Sequence, residues 1–401
     1  MSVEEALEIV LGSVQPLPVI EQPVSESAGL ILAEDVRAPV DLPAFRNSAM
    51  DGFALRSVDT ASASAQQPRE LDVVGSISAG EGPWSVWIAE MTAVRVMTGA
   101  PVPDGADAVV RLEEAGEVGS RIRLHRPISA GEHLREIGSD LARGGIALPA
   151  GSSMTWPAIA LLTALGISNV RVHARPVLAV ISTGDELINA GTPASGQMVP
   201  DSNGPMLMEL ARAHGGDSRF IGIAVDSRAV LEAMLDGSVS ADAIVISGGV
   251  SAGDRDVVRD LLAEREAVVF SQVRMKPGRP FTFGLLAGKP VFALPGNPLA
   301  AAAAFLQFVR PALDRMRGSR ERRAGTCEAI AVSRIENAGR RRLIVPIHLR
   351  ERPGDLPAAA PIADGTSGLA LLARADGLLV IPEETAIVNQ GDVVRFWRLP
   401  A

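Results

Sequence analysis

Residues 241–264 read ADAIVISGGVSAGDRDVVRDLLAE, and this stretch decides the fold class. The apolar, β-branched run at 243–246 predicts a buried strand, and VVRDLLAE at 257–264 predicts a helix. A glycine-rich turn joins the two. The same order of strand, turn and helix recurs from residue 174 to about residue 317. Strands joined by helical crossovers require a doubly wound, mostly parallel α/β sheet.

The segments on either side of this region have a different character. Short alternating runs rich in Gly, Pro, Val and Ser predict a small β domain inserted into the N-terminal part. β patterns return after residue 321. We therefore expect four parts: a discontinuous N-terminal domain (1–50 and 138–173), the inserted β domain (51–137), the α/β domain (174–320) and a C-terminal β domain (321–401).

Composition excludes several classes of function. The net charge of −9 repels polyanions, and the low aromatic content of 3% provides no stacking platform, so we expect no nucleic-acid partner. Cys327 is the only cysteine, which excludes an internal disulfide and a cysteine metal cage. The acidic N-terminus lacks the cationic region of a signal peptide, and PLAAAAAFLQFV at 298–309 is too short to span a bilayer. We expect a cytoplasmic protein without membrane insertion.

Parallel sheets bind ligands at the carboxyl ends of their strands. Here these ends carry STGDE (182–186), VD (225–226), SGGVSAGD (247–254), MKPGR (275–279) and LPGNP (294–298). Glycine turns that open helices bring backbone N–H groups and a favourable helix dipole to a phosphate. The sequence therefore predicts an anion site at this edge.

Charged residues at the same edge suggest a metal as well. Asp254 and Asp256 would repel a phosphate unless a cation lies between the carboxylates and the phosphate. Mg²⁺ commonly binds through one or two carboxylates plus substrate phosphates. Asp185 or Glu186 could supply the second carboxylate. Arg274, Lys276 and Arg279 form a basic cluster around a Pro-Gly turn, which on its own could equally be a solvated surface turn.

The glycine turn at 247–254 also permits two interpretations other than anion binding. GVSAG at 249–253 matches G-x-S-x-G, so Ser251 could be a nucleophile; however, the only downstream histidine is His348, in a different predicted domain. The turn could also be structural, with Asp254 as a helix cap. GLLAGKP at 284–290 is not a P-loop, because it has one residue too few between its glycines and Pro290 stands where Ser or Thr is needed.

Together, several long motifs resemble the molybdopterin molybdenumtransferase family, which includes the E domain of gephyrin. The motifs are PAFRNSAMDGFA (43–54), VMTGAPVPDGADAVV (96–110), STGDEL (182–187), DSNG (201–204), SGGVSAGDRDVV (247–258), MKPGRPFTFG (275–284) and LPGNP (294–298). The resemblance covers nearly the whole chain. It implies an elongated N-terminal domain, a C-terminal β-barrel-like domain and a homodimer whose site lies at the junction of both subunits.

The resemblance also implies an activity: insertion of molybdenum from molybdate into adenylylated molybdopterin, with Mg²⁺ and with release of AMP. The catalytic residues that it implies are Asp51, Thr98, Asp140, Glu186, Asp226, Asp256 and Lys276, of which Glu186 and Asp256 would hold the metal. The substrate-binding residues that it implies are Ser247, Gly248, Gly249, Ser251, Gly253, Asp254, Arg279, Pro280, Pro295, Gly296, Asn297 and Ser367. Ser251 would then bind phosphate or pterin.

The sequence departs from the family pattern in three places. Ala300 stands where a small hydroxyl residue is usual, Glu136 and Ile137 where arginine-like residues are frequent, and Val345 where a second arginine is usual. These changes would weaken molybdate binding and leave the pterin and metal parts intact. An alternative therefore remains: a gephyrin-like scaffold that binds a peptide of another protein, with weak or lost catalysis.

Overall fold

In the computed structural model, the strand–turn–helix repeat forms a six-stranded sheet. Its spatial order is Asp217–Ala224, Val177–Thr183, Ala243–Ser247, Lys289–Leu294, Thr282–Leu286 and Val268–Ser271. The first four strands are mutually parallel, and Thr282–Leu286 pairs antiparallel with both of its neighbours. The predicted doubly wound, mostly parallel α/β sheet is confirmed. The structure describes residues 1–80, 87–225, 227–249, 257–319, 326–362 and 368–399.

Alternate residues of the central strands enter two separate cores. Val245 packs on one face of the sheet, and Ile244 and Ile246 pack on the other. Both faces are buried because side chains alternate along a strand and helices cover each side. The helices on the first face are Val3–Gly12, Asn203–Ala213, Pro298–Ala304 and Arg310–Met316, the last two joined by a π-helical turn at Phe305–Val309; those on the second face are Arg228–Gly237 and Val257–Glu264.

Two local features lie at the antiparallel side of this sheet. Residues 268–275, VVFSQVRM, are apolar enough for one strand but do not form one, because Gln272 has φ of 64° and separates Val268–Ser271 from Met275–Lys276. The segment that resembles a P-loop is a β-hairpin between Thr282–Leu286 and Lys289–Leu294. Its turn residues, Ala287 and Gly288, both have positive φ (50° and 79°), as a tight hairpin turn requires.

The C-terminal domain is a closed five-stranded barrel, which confirms the β-barrel-like prediction. Its strands are Thr326–Ala331, Arg342–Arg350, Ala358–Pro361, Gly377–Ile381 and Val393–Arg398. Pairing of Arg342–Arg350 with Gly377–Ile381 closes the barrel. A short helix, Leu369–Arg374, and the paired strands Ile335–Glu336 and Ile387–Val388 accompany it.

The inserted β domain is a second six-stranded sheet, as predicted. Its spatial order is Ala108–Arg111, Gly52–Leu55, Thr92–Val96, Arg69–Ile77, Arg121–Leu124 and Gly116–Val118. The smaller elements of the chain are the paired strands Val19–Pro23 with Asn169–His173, Val36–Arg37 with Ile146–Leu148, Asn47–Ser48 with Leu134–Arg135 and Leu187–Ile188 with Val199–Pro200, the helix Trp156–Ala164, and the 3₁₀ turns Val24–Glu26, Ser57–Thr60 and Leu112–Glu114.

Internal contacts divide the chain into two compact units. The first comprises Met1–Glu34, Ala150–Thr155 and Asn169–Ala401, and the second comprises Asp35–Pro149 and Trp156–Ser168. The four-part boundaries inferred from the sequence stay a prediction. Across the described ranges, every helix is too short or too polar to cross a membrane.

Candidate functional site

A cavity of about 610 Å³ opens at the carboxyl edge of the α/β sheet. Three neighbouring parallel strands end there in register, with Ser182 opposite Ser247 and Ser247 opposite Leu294. The turns after these strands therefore meet at one edge, as parallel pairing dictates. The cavity is lined by Thr183, Gly184, Glu186, Leu187, Val199, Pro200, Asp201, Ser202, Asn203, Ser247, Gly248, Gly249, Pro280, Pro295, Gly296, Asn297 and Pro298.

The glycine turn after Ser247 needs its glycines. Gly248 and Gly249 have φ of 96° and 64°, in the left-handed region that favours glycine. A Cβ on Gly248 would lie 2.4 Å from the Thr183 carbonyl oxygen. Gly248 N–H donates to the Leu294 carbonyl (3.0 Å), which ties this turn to the neighbouring strand.

The PGNP turn opens the long helix and faces the glycine turn. Asn297 caps the helix, its Oδ1 accepting from the Ala300 N–H at 3.1 Å. A Cβ on Gly296 would lie 3.7 Å from Gly248 Cα, so the two turns are close neighbours. Among the described residues, no acceptor takes the backbone N–H of Gly249, Gly296 or Asn297. These three amides are therefore available to an anionic ligand.

Asp201 and Asn203 hold this edge together, and sequence reasoning did not assign them to the site. The Asp201 carboxylate is buried and accepts from Ser182 Oγ (2.7 Å) and from the N–H groups of Asn203 and Gly204 (both 3.0 Å). The Asn203 Nδ2 donates to Ser247 Oγ (2.7 Å) and to the Gly296 carbonyl (2.8 Å). The DSNG motif was the available signal, but it also fits an ordinary helix start.

Glu186 brings a carboxylate to the cavity. It follows the strand Val177–Thr183, is exposed and lines the cavity. Its carboxylate folds back over the same turn, so that a Cβ added at Gly184 would lie 2.7 Å from Glu186 Oε2. Gly184 has φ of 151°, which glycine tolerates. Glu186 is thus placed where a metal–phosphate group could meet it.

The predicted basic residues are less closely associated with the cavity. Lys276 and Arg279 are exposed and are not among its lining residues, although Pro280 is. Arg279 donates to Gln272 Oε1 at 3.3 Å. Their roles as anion contacts stay predictions.

Three predicted site residues, Asp51, Thr98 and Asp140, belong to the second unit, and the first two are hydrogen-bonded to each other. Asp51 Oδ1 accepts from both the N–H and the Oγ1 of Thr98, each at 2.7 Å. These hydrogen bonds, from the Thr98 backbone first and its side chain second, lower the pKa of Asp51 below its ordinary value. Asp140 is exposed, and its backbone N–H donates to the Leu42 carbonyl. Their catalytic roles stay predictions.

Six predicted site residues lie outside the described residues: Asp226, Ser251, Gly253, Asp254, Asp256 and Ser367. This includes the second proposed metal ligand and the serine of the G-x-S-x-G pattern. Within the described ranges, no group of three or more His, Cys, Asp or Glu side chains could hold a metal.

The structure shows the surroundings of the positions where the sequence departs from the family pattern. Ala300 is buried in the first turn of the long helix, and its N–H is already held by Asn297. Val345 packs with the barrel core opposite Leu379, where a charged side chain would be costly. Glu136 forms a surface ion pair with Arg46 (3.4 Å), and Ile137 is exposed.

Taken together, the doubly wound sheet, its cavity lined by glycine turns and the C-terminal barrel define a multidomain α/β protein with a ligand-sized cavity at the carboxyl edge of its sheet. Three protein-family models match successive parts of the chain. Residues 1–166 match the MoeA N-terminal region (domain I and II), residues 179–315 a probable molybdopterin binding domain, and residues 328–399 the MoeA C-terminal region (domain IV).

Individual relatives agree with these matches. The chain is 36% identical to molybdopterin molybdenumtransferase 2 of Mycobacterium tuberculosis over 99% of both chains. It is 35% identical to the molybdopterin molybdenumtransferase of Staphylococcus aureus over 80% of this chain and 76% of that one. A crystal structure of the molybdopterin biosynthesis MoeA protein from Pyrococcus horikoshii superposes with a TM-score of 0.85 at 28% identity, over the full length of both chains.

The chain belongs to the molybdopterin molybdenumtransferase family. It is an enzyme, a transferase with a role in molybdenum cofactor biosynthesis.

Proposed function

We propose that this protein inserts molybdenum from molybdate into adenylylated molybdopterin and releases AMP. The observation that carries the proposal is the pair of adjoining turns at Gly248–Gly249 and Pro295–Pro298, which line one cavity. The backbone N–H groups of Gly249, Gly296 and Asn297 in these turns have no acceptor among the described residues. Such groups bind phosphate oxygens without needing a basic side chain. The substrate offers two linked phosphates, and the names of the relatives indicate its pterin part.

The chemistry suits the residues present. Cleavage of a phosphoanhydride depends on positioning and on neutralisation of charge more than on a covalent intermediate. The amides of Gly249, Gly296 and Asn297 would orient the phosphates, and the prolines on both sides of Gly296–Asn297 stiffen that turn. Ser251 would contact the ligand rather than act as a nucleophile.

The donor set fits a Mg²⁺ ion. Glu186 presents a carboxylate to the cavity, whereas the oxygens of Asp201 are occupied by three donors. Mg²⁺ commonly binds one or two carboxylates together with substrate phosphates. Glu186 and Asp256 would hold the ion, which would neutralise phosphate charge. Lys276 and Arg279 would add positive charge near the anions. The proposal also includes catalytic roles for Asp51, Thr98 and Asp140, a homodimer and a location in the cytoplasm.

The metal role is tested by comparing Glu186→Gln with Glu209→Gln, an exposed helix position with only a surface ion pair. We expect Glu186→Gln to slow AMP release roughly tenfold to a hundredfold and to raise the Mg²⁺ concentration needed for half-maximal rate. Glu209→Gln should match the wild type. An unchanged AMP-release rate and Mg²⁺ dependence in Glu186→Gln would refute the assignment; the same measurement on Asp256→Asn tests the second ligand.

A gephyrin-like scaffold is the second candidate, because Ala300 and Val345 lack the side chains usual at those positions. Binding of adenylylated molybdopterin without turnover, together with stoichiometric capture of one protein partner, would favour it. Turnover without such a partner would favour the enzyme.

A further inference from the structure

The Asn203 side chain connects the two turns that line the cavity. Its Nδ2 donates to Ser247 Oγ, directly before the glycine turn, and to the Gly296 carbonyl in the PGNP turn. These partners lie 44 and 93 residues away in the chain. No other described side chain donates to both turns.

The orientation of the amide is unambiguous. A carbonyl oxygen can only accept, so the group facing Gly296 must be the NH₂. Both Nδ2 hydrogens are then used. The Oδ1 atom is buried and has no hydrogen-bond partner among the residues that the structure describes. A buried, unpaired acceptor is unfavourable, so its presence needs an explanation.

The surroundings show why asparagine suits this position. Asn203 is the first residue of its helix and is 8% exposed, and its own N–H is fixed by the Asp201 carboxylate. An aspartate would lose both donors and place an oxygen against the Gly296 carbonyl. A glutamine would add a methylene to a closely packed site.

We propose that Asn203 is a positioning residue that sets the spacing between the Gly248–Gly249 turn and the PGNP turn, and thereby the affinity for the phosphate group of the substrate. The inference rests on the proposed function. The amides of Gly249, Gly296 and Asn297 belong to these two turns, and a phosphate can accept from all of them only when the turns are held together. Because the two Nδ2 hydrogen bonds fix the orientation of the amide, Oδ1 is held where no described donor contacts it.

The test compares wild type, Asn203→Asp and the control Asn189→Asp, which changes an exposed asparagine outside the cavity lining. The KM and kcat for AMP release from adenylylated molybdopterin are measured, with the Kd of AMP by calorimetry. We expect Asn203→Asp to raise KM and Kd roughly tenfold or more and to leave kcat within about threefold. The control should resemble the wild type.

Different outcomes would refute the positioning role of Asn203 and the proposed function. If KM and Kd are unchanged in folded Asn203→Asp, or if its kcat falls while KM stays constant, the positioning role is wrong. If the wild type neither binds nor turns over the substrate, the proposed function itself fails.

A second variant keeps the inference testable if Asn203→Asp does not fold. Ser247→Ala removes one end of the bridge and should raise KM by a few-fold. In the double variant, the fold-increase in KM should be smaller than the product of the two single fold-increases, because both substitutions break the same connection. Fully multiplicative effects in a folded double variant, or an unchanged KM in Ser247→Ala, would overturn the proposal.

Discussion

Replacing Asp201 with alanine should destabilise the first unit strongly, although the residue is at the edge of a cavity. The carboxylate is 3% exposed and accepts three hydrogen bonds, from Ser182 Oγ and from the N–H groups of Asn203 and Gly204. Ser182 is fully buried and Gly204 is buried, so their polar groups have no direct access to solvent. Asp201→Ala would leave all three donors without this acceptor.

The magnitude follows from these contacts. Hydrogen bonds contribute about 1–1.5 kcal/mol each, and more where one partner is charged. Three of them give a loss of roughly 3–5 kcal/mol in the free energy of unfolding, part of which is the loss of a helix cap. Asp201→Asn keeps an oxygen for the two N–H groups, and its Nδ2 can donate to Ser182 Oγ in place of the hydrogen bond that Ser182 donates to the carboxylate. That variant should lose only about 1 kcal/mol.

The assay is urea-induced unfolding followed by far-UV circular dichroism, with hydrogen exchange of peptides that cover residues 200–213. Asp236→Ala, at an exposed position with a surface ion pair to Arg265, is the control. It should change stability by less than about 1 kcal/mol. If Asp201→Ala were no less stable than Asp236→Ala, and exchange at 200–213 stayed slow, the role assigned to this carboxylate would be refuted.

Three further predictions concern other parts of the molecule. Gly248→Ala should lower the free energy of unfolding by about 2 kcal/mol or more, because its Cβ would meet the Thr183 carbonyl at 2.4 Å, whereas Gly296→Ala should be tolerated; similar urea midpoints for both would contradict this. Thr98→Val removes one donor to Asp51, so the pKa of Asp51, read by NMR titration, should rise toward its ordinary value. A depressed carboxyl pKa stabilises the fold above the unfolded pKa and the effect is lost as pH falls, so the stability deficit of Thr98→Val should shrink in acid; a constant deficit would count against it. Arg310 is buried and lies over the Trp397 ring (5.4 Å), and its Nε has no hydrogen-bond partner among the described residues. Burial lowers its pKa, against a smaller opposing effect of the Asp314 charge. Arg310→Met should therefore leave the free energy of unfolding within about 1 kcal/mol of wild type or raise it, while Arg317→Met, which loses bonds to the His214 and Gly29 carbonyls, should lower it; equal losses would refute the distinction.

Local patterns were sufficient to predict the α/β sheet. Each β-branched run followed by a turn and a helix can be satisfied only by parallel pairing with helical crossovers, so the edge that carries the turns follows from the repeat itself. Gly248, Gly296 and Glu186 were therefore expected at one edge, and the cavity lies there.

What the sequence did not show depends on contacts between distant segments. The bridge from Asn203 to Gly296 spans 93 residues and requires knowledge of the strand order. The hairpin at Thr282–Leu286 was missed because its turn, Ala287–Gly288, lacks the usual Asn-Gly or Asp-Gly signal. The pairing of Asp51 with Thr98 could not be inferred from residue spacing; only the resemblance placed both in the site.

The most direct test of the central claim is the release of AMP from adenylylated molybdopterin by the purified protein with Mg²⁺, measured with and without molybdate. The proposed transferase predicts AMP release that depends on molybdate, despite alanine at 300 and valine at 345. Tight binding of the nucleotide with no AMP released under either condition would contradict it, and the scaffold would then be the better account of the same cavity.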